Sequence, residues 1–279
     1  MKYRIIVDSC GDLTEELKMT GYYESAPLTI DVDGYQIIDD ETFDQADFLR
    51  RVDMSPNCPK SSCPSPECFR ELIDCEAENV YIVTLSGNLS GSYNSAVLAV
   101  KLFKEENSEK NVCVIDSKSA SIGMTLISLV IKAGEESGLD FDTIVKNAEA
   151  YRDEMNTFFV LESLETLRKN GRLSNLKAFV ANKLNIKPVM AATKEGTIYQ
   201  LGQAIGINKA LSKMVDLSLE KVSNTAGKIA AIAHCNNLKR AEWVKSKLME
   251  KGKFREIFIV NTGGISSMYA NEGGIIVAF

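Results

Sequence analysis

The densest run of chemically useful side chains lies between Ser86 and Ser95, with hydroxyls at Ser86, Ser90, Ser92 and Ser95 and glycines at Gly87 and Gly91. It follows an apolar run expected to be a strand and opens a stretch of helical periodicity. Small residues permit a tight turn there, and hydroxyls beside free helix N-terminal amides make a receptor for an anion or carboxylate. An ordinary capped turn accounts for the same residues equally well. The segment has neither the GK[ST] ending of a phosphate loop nor a GxGxxG, which disfavours nucleotide binding.

Three other places could do chemistry. In Lys60–Glu67, Ser65 and Pro66 read as the cap and first residue of a helix, leaving Ser61 and Ser62 on a preceding loop without a structural role. In Val7–Leu13, Asp8 and Asp12 could hold Mg²⁺ and Cys10 could be a nucleophile, so a phosphotransferase or hydrolase built on Asp8, Ser9 and Asp12 is the alternative reading. No histidine accompanies Cys10, and the Arg that a phosphatase needs just after its Cys is absent. The only histidine, His234, ends an apolar strand and is expected to be structural. At Gly171–Ser174, a glycine stop precedes a serine cap, and Arg172 between them is either a solvated residue or a fork for a partner's carboxylate or phosphate.

Short apolar runs alternating with amphipathic stretches must position these groups, a pattern that predicts βαβ units and parallel sheets. Strands are expected at Tyr3–Asp8, Val80–Leu85, Val112–Asp116, Phe158–Leu161, Lys228–Cys235, Glu256–Asn261 and Gly274–Phe279. Asp33-Gly34 should turn a hairpin between Leu28–Val32 and Tyr35–Ile38, and Lys194–Gly196 another between Pro188–Thr193 and Thr197–Leu201. Helices are expected over Asn94–Phe103, over 174–184, and over Asn237–Lys251 with Asn237 as cap and Gly252 as the residue after the end. A boundary near Arg152–Asn156 divides the chain into an N-terminal α/β domain, 1–154, and a C-terminal one, 155–279.

Composition narrows the function further. The 279 residues carry 32 basic and 38 acidic side chains, a net charge of −6, and no basic block that would serve as a nucleic-acid footprint. No apolar run approaches the ~20 residues of a membrane span, and the N-terminus lacks a signal-peptide core, so a cytoplasmic protein is expected. The seven cysteines include a cluster at Cys58, Cys63, Cys68 and Cys75, spaced too widely for the common zinc patterns. Neither a metal nor a cofactor is expected, and nothing assembles into a catalytic set.

Taken in order, these segments resemble the DegV family of fatty-acid-binding proteins. IVDSCGDL at 6–13 is similar to the family's VTDSTADL, KSSCPSP at 60–66 to TSQPSP, and LSGSYNSA at 89–96 to LSGTYxSA. VIDSKSASIG at 114–123, GRLS at 171–174 and LNIKPV at 184–189 resemble VIDSxxxSxG, GRIS and LxIKPI. The resemblance implies an α/β fold of two domains, a Rossmann-like parallel N-terminal sheet and a mixed C-terminal domain, with a lipid tunnel between them. It implies no enzymatic activity of the chain's own. A long-chain fatty acid such as palmitate would be bound, for lipid transport or for presentation to a fatty-acid kinase. Carried over by position, Ser61 and Ser90 would hold the carboxylate, with Ser62, Ser92 and Tyr269 nearby, and Arg172 would face the partner. Two departures stand out: Tyr269 replaces the histidine of a C-terminal GxHxGPG pattern, and Ala204-Ile205-Gly206 lacks a common arginine. Both remove positive charge, so weak handling of an acyl phosphate is expected.

Overall fold

The computed structural model describes residues 2–106, 109–173, 185–222 and 224–279; the helix expected over 174–184 and the Ser174 cap lie outside them. Along the chain, β1 (Tyr3–Asp8) and β2 (Tyr23–Ala26) precede β3 (Thr29–Val32), β4 (Tyr35–Ile38) and β5 (Lys60–Ser62). Next come β6 (Asn79–Thr84), β7 (Asn111–Asp116), β8 (Thr157–Val160), β9 (Ile186–Ala192) and β10 (Ile198–Ile205). The last three are β11 (Ile229–His234), β12 (Glu256–Asn261) and β13 (Ile275–Ala278).

Three sheets result. The first, in order β2-β1-β6-β7, is wholly parallel, as its apolar, doubly covered strands require. The second, β10-β9-β8-β13-β11-β12, is mixed: only β11 and β12 run parallel. The third is a small antiparallel sheet, β4-β3-β5, whose β3–β4 turn uses positive φ at Asp33 and Gly34 as the dipeptide predicts. The α/β class, with a parallel N-terminal sheet and a mixed C-terminal one, is as the sequence implied. Ser61 and Ser62, expected on a loop, are instead strand residues of β5, paired with Ile30 and Thr29 of β3. A three-residue polar strand has no periodicity to betray it.

The helix Ile122–Glu136 packs against β1 and β6 on one side and β11 and β13 on the other. Its residues from Ile122 to Ser128 are all buried, the composition of a helix covered on every face. Gly123 is needed there because a Cβ would lie 2.2 Å from Ser119 Oγ. Each large apolar side chain such as Ile127 or Ile131, fully buried, contributes roughly 1.5–3 kcal/mol. Elsewhere Ser65 caps the helix Pro66–Ile73 by accepting from Cys68 N–H, with Pro66 in the first turn, and Asn237 caps Leu238–Lys251 by accepting from Arg240 N–H. Gly252 does end that helix, but at φ −107, so the positive φ of a C′ glycine is not its reason. A Cβ there would lie 2.6 Å from the Phe254 ring.

Three buried carboxylates tie the loops at the strand ends together. Asp8 accepts from Leu85 N–H (2.7 Å), Ser92 Oγ–H (2.5 Å) and Cys10 N–H (3.2 Å). Asp12 accepts from Gly263 N–H (2.7 Å) and from the Ser121 hydroxyl. Asp39 accepts from Gly264 N–H (2.6 Å) and Ile265 N–H (2.9 Å), satisfying buried amides at the start of the helix Gly264–Ala270 that have no partner within the helix. Burial pushes Asp8 up from 3.8 to about 6 and Asp12 to about 7, against the downward pull of their donors. Asp39 is raised for the same reason.

These shifts set a pH dependence. In the unfolded chain such carboxyls ionise near 3.8, so between about pH 4 and 7 the folded state holds more protons, and stability falls as pH rises through that window. His234, whose pKa burial lowers, pulls the other way. Urea unfolding is expected to show greater stability at pH 5 than at pH 8, with a smaller difference in Asp8→Asn; an identical pH slope in the two proteins would contradict the assignment.

Candidate functional site

Beyond the carboxyl ends of β1 and β6, where open parallel sheets bind ligands, lies a cavity of about 320 Å³. That is at the small end of the range for organic-ligand pockets. Leu28, Leu85, Phe159, Leu167, Ile198 and Ile276 make much of its wall, drawn from both large sheets and their loops. A chain buried among them gains from removal of its own apolar surface and theirs from water.

Two polar clusters interrupt this wall, the first made of Ser61, Ser62, Ser90, Arg172 and Tyr269. Strand β5 supplies the first two, and the β6-to-helix turn supplies Ser90. Gly91 lets that turn approach β5, since a Cβ would lie 3.1 Å from Cys63 Sγ. Tyr269 stands on the helix that Asp39 caps, and its hydroxyl is 3.2 Å from Ser61 Oγ. Burial pushes the Tyr269 hydroxyl's pKa up, so it stays protonated at neutral pH. Whichever of the two hydroxyls donates to the other, one hydrogen of the pair is left for a ligand. Ser90 Oγ accepts from Ser92 N–H at 3.2 Å, which leaves its own hydrogen to donate.

Arg172 is half-buried in the same wall, not standing out on a turn. Its Nε donates to Leu89 O at 3.1 Å, a further N–H to Asn170 O, and its guanidinium carbon is 5.9 Å from the centre of the Tyr269 ring. Gly171 does adopt the positive φ of a helix stop, which turns Arg172 inward. Arg172, which the GRLS motif carries in any case, brings one positive charge to the cluster; it is a separate group from the histidine that Tyr269 replaces. Ile205 is 62 % exposed and does not line the cavity, so its position bears on the cluster less than the sequence comparison implied.

Ser92 corrects the sequence reading. It is fully buried, outside the cavity wall, and spends its hydroxyl on Asp8. Its alternation with Ser90 carried no signal of which would face the cavity. Asp8, Ser9 and Asp12 are similarly committed: Ser9 Oγ accepts from Leu28 N–H at 3.0 Å, and each carboxylate is satisfied by protein donors. Cys10 lines the cavity, but burial raises its thiol well above the usual range, the state of an inert cysteine. His234 Nδ1 accepts from Asn237 N–H at 3.2 Å, a structural role. Among the described residues, no three His, Cys, Asp or Glu side chains gather to hold a metal ion, and no helix is long and apolar enough to cross a membrane.

A second polar cluster in the wall went unnoticed in the sequence: Ser119 and Thr157, hydroxyl to hydroxyl at 2.7 Å, beside Lys118 and Thr197. The two residues are 38 apart in sequence and share no motif. The contrast between neighbouring serines is measurable. Ser92→Ala strips a donor from a buried carboxylate and should cost about 1–3 kcal/mol in denaturant unfolding, whereas Ser61→Ala should cost about 1 kcal/mol or less. Equal losses would contradict the division between clamp and cavity wall.

Comparison with known proteins identifies the family. The family model described as an uncharacterised protein, DegV family, matches residues 2–279. A DegV domain-containing protein of Streptococcus pyogenes serotype M1 is 35% identical over 285 residues, covering 100% of this chain and 99% of that one. The crystal structure of a DegV-family protein from Ruminococcus gnavus, refined with vaccenic acid, is 49% identical with a TM-score of 0.97, covering 100% and 99% of the two chains. The fatty acid kinase (Fak) B3 protein of Streptococcus pneumoniae, loaded with linoleic acid, is 31% identical with a TM-score of 0.91 over 100% and 99%. By sequence over its length and by fold, the chain belongs to the DegV family.

Proposed function

We propose that this chain binds a long-chain fatty acid in the 320 Å³ cavity, its carboxylate at Ser61, Ser90 and Tyr269 beside Arg172, and presents that carboxylate to a fatty-acid kinase. The observation that carries the reading is an apolar cavity with the hydroxyls of Ser61, Ser90 and Tyr269 gathered beside the Arg172 guanidinium in its wall. A buried carboxylate needs such donors, because an unpaired charge in an apolar wall is costly. Hydroxyls and Arg172 together satisfy it and hold it ionised. The chain supplies most of the affinity, at about 0.8 kcal/mol per buried methylene, and the head group sets its direction. Vaccenic acid in the Ruminococcus gnavus relative and linoleic acid in the Streptococcus pneumoniae one support this choice of ligand. Ser62, exposed at the edge of the same wall, contributes a further hydroxyl.

The kinase half follows the Fak B3 relative. There the carboxylate oxygen would attack the γ-phosphorus of ATP on the kinase, releasing ADP and leaving an acyl phosphate on this chain. Arg172 would then contact both the new phosphate and the partner.

Mass spectrometry of lipid extracted from the native protein is expected to show a bound long-chain acid. Ser61→Ala with Ser90→Ala should weaken oleate binding by roughly tenfold or more, the worth of lost hydrogen bonds to a charge; unchanged affinity refutes the head-group assignment. In a kinase-coupled assay, Arg172→Ala should lower acyl-phosphate yield more than it lowers oleate affinity. Wild-type protein that yields none with a fatty-acid kinase would remove the presentation half.

A further inference from the structure

Behind the Ser119–Thr157 pair is a second, smaller cavity of about 50 Å³ that shares Lys118, Thr157 and Ala192 with the large one. Its wall includes Lys118, Arg152, Lys194 and Lys221, and no acidic side chain. Hydroxyls of Ser117 and Thr193 and the Asn156 amide complete a polar lining.

The cations are unevenly neutralised. Asp153 takes Lys118 Nζ at 2.9 Å and Arg152 Nε at 2.9 Å, and Glu149 lies 3.5 Å from Arg152. Lys194 Nζ donates only to the main-chain carbonyl of Asp153, and Lys221 Nζ to the Tyr199 hydroxyl at 2.7 Å. Two ammonium groups therefore face one small pocket bonded to neutral oxygens, with a third and fourth cation behind them. An anion entering the pocket would meet two ammonium groups that no carboxylate pairs among the described residues, and a field of one sign draws such an ion in. The volume holds about four waters, at roughly 10–15 Å³ each, which is the scale of one tetrahedral oxyanion.

We propose that this pocket binds a phosphate monoester dianion, held by Lys194 and Lys221 with Arg152 and Lys118 at its back. The same group occurs on soluble phosphorylated metabolites and on the headgroup of phosphatidic acid. The pocket borders the fatty-acid cavity through Lys118, Thr157 and Ala192, but none of the head-group residues Ser61, Ser90, Arg172 or Tyr269 lines it, so loss of phosphate binding and loss of fatty-acid binding are separable.

The test titrates the full chain with inorganic phosphate by calorimetry and cosediments it with phosphatidylcholine vesicles containing phosphatidic acid, each beside sodium chloride of matched ionic strength. A saturable response in either arm is expected, weakened roughly tenfold or more by Lys194→Ala with Lys221→Ala, retained by Lys194→Arg with Lys221→Arg, and unaltered by Lys239→Ala, a residue that lines neither cavity. Response to free phosphate assigns the site to soluble ligands; response confined to vesicles assigns it to the headgroup. No response in either arm, a response matched by chloride, or one unchanged in the Ala double variant overturns the proposal. The replaced side chains are exposed, and circular dichroism checks that the fold is kept.

Discussion

Three carboxylates taken out of water hold this molecule's working parts in place. An unpaired buried carboxylate would cost several kcal/mol, so Asp8, Asp12 and Asp39 dictate where their donors must stand. Asp8 draws the turn after β6 against the end of β1 through Leu85 and Ser92, which aims Ser90 at the cavity. Asp12 joins that same β1 loop to Gly263 and Ser121. Asp39 fixes the start of the helix that bears Tyr269. Elements more than two hundred residues apart in sequence are thereby registered to one another.

The cavity exists because the strand ends and loops that these clamps organise do not fill the space between the sheets. Its wall is apolar where a hydrocarbon would lie and hydroxyl-rich at Ser61, Ser90 and Tyr269, a division of labour suited to an amphipathic ligand. Van der Waals and hydrophobic terms reward length, and the hydroxyls with Arg172 reward one charged end. The substitution of a tyrosine at position 269 alters the donor without removing it. Arg172, turned inward after Gly171, brings the guanidinium of the GRLS motif to the same cluster.

Local signals were legible where the physics is local. Asp33-Gly34, Ser65-Pro66 and Asn237 each act within a few residues, and each does in the fold what its type predicts. The strands β1 and β12 fall within the expected bounds because apolar runs of that length have few alternatives. What escaped was long-range. Strand β5 is too short and polar to show a period, and Ser92 differs from Ser90 only in its distant partner Asp8. Asp8 and Asp12 read as candidate catalysts because type and spacing alone do not reveal that donors from other elements already occupy them. The fatty acid came from resemblance; the residues by themselves pointed only to an anion.

Carbon-13 NMR of [1-¹³C]oleate bound to the protein reads the central claim at the atom concerned. A carboxylate bonded by Ser61, Ser90 and Tyr269 beside Arg172 is expected to give one shifted carboxyl resonance that stays ionised well below the pH at which unbound oleate protonates, and to move in Tyr269→Phe. A carboxyl signal that titrates like the unbound acid and ignores Tyr269→Phe would contradict the account.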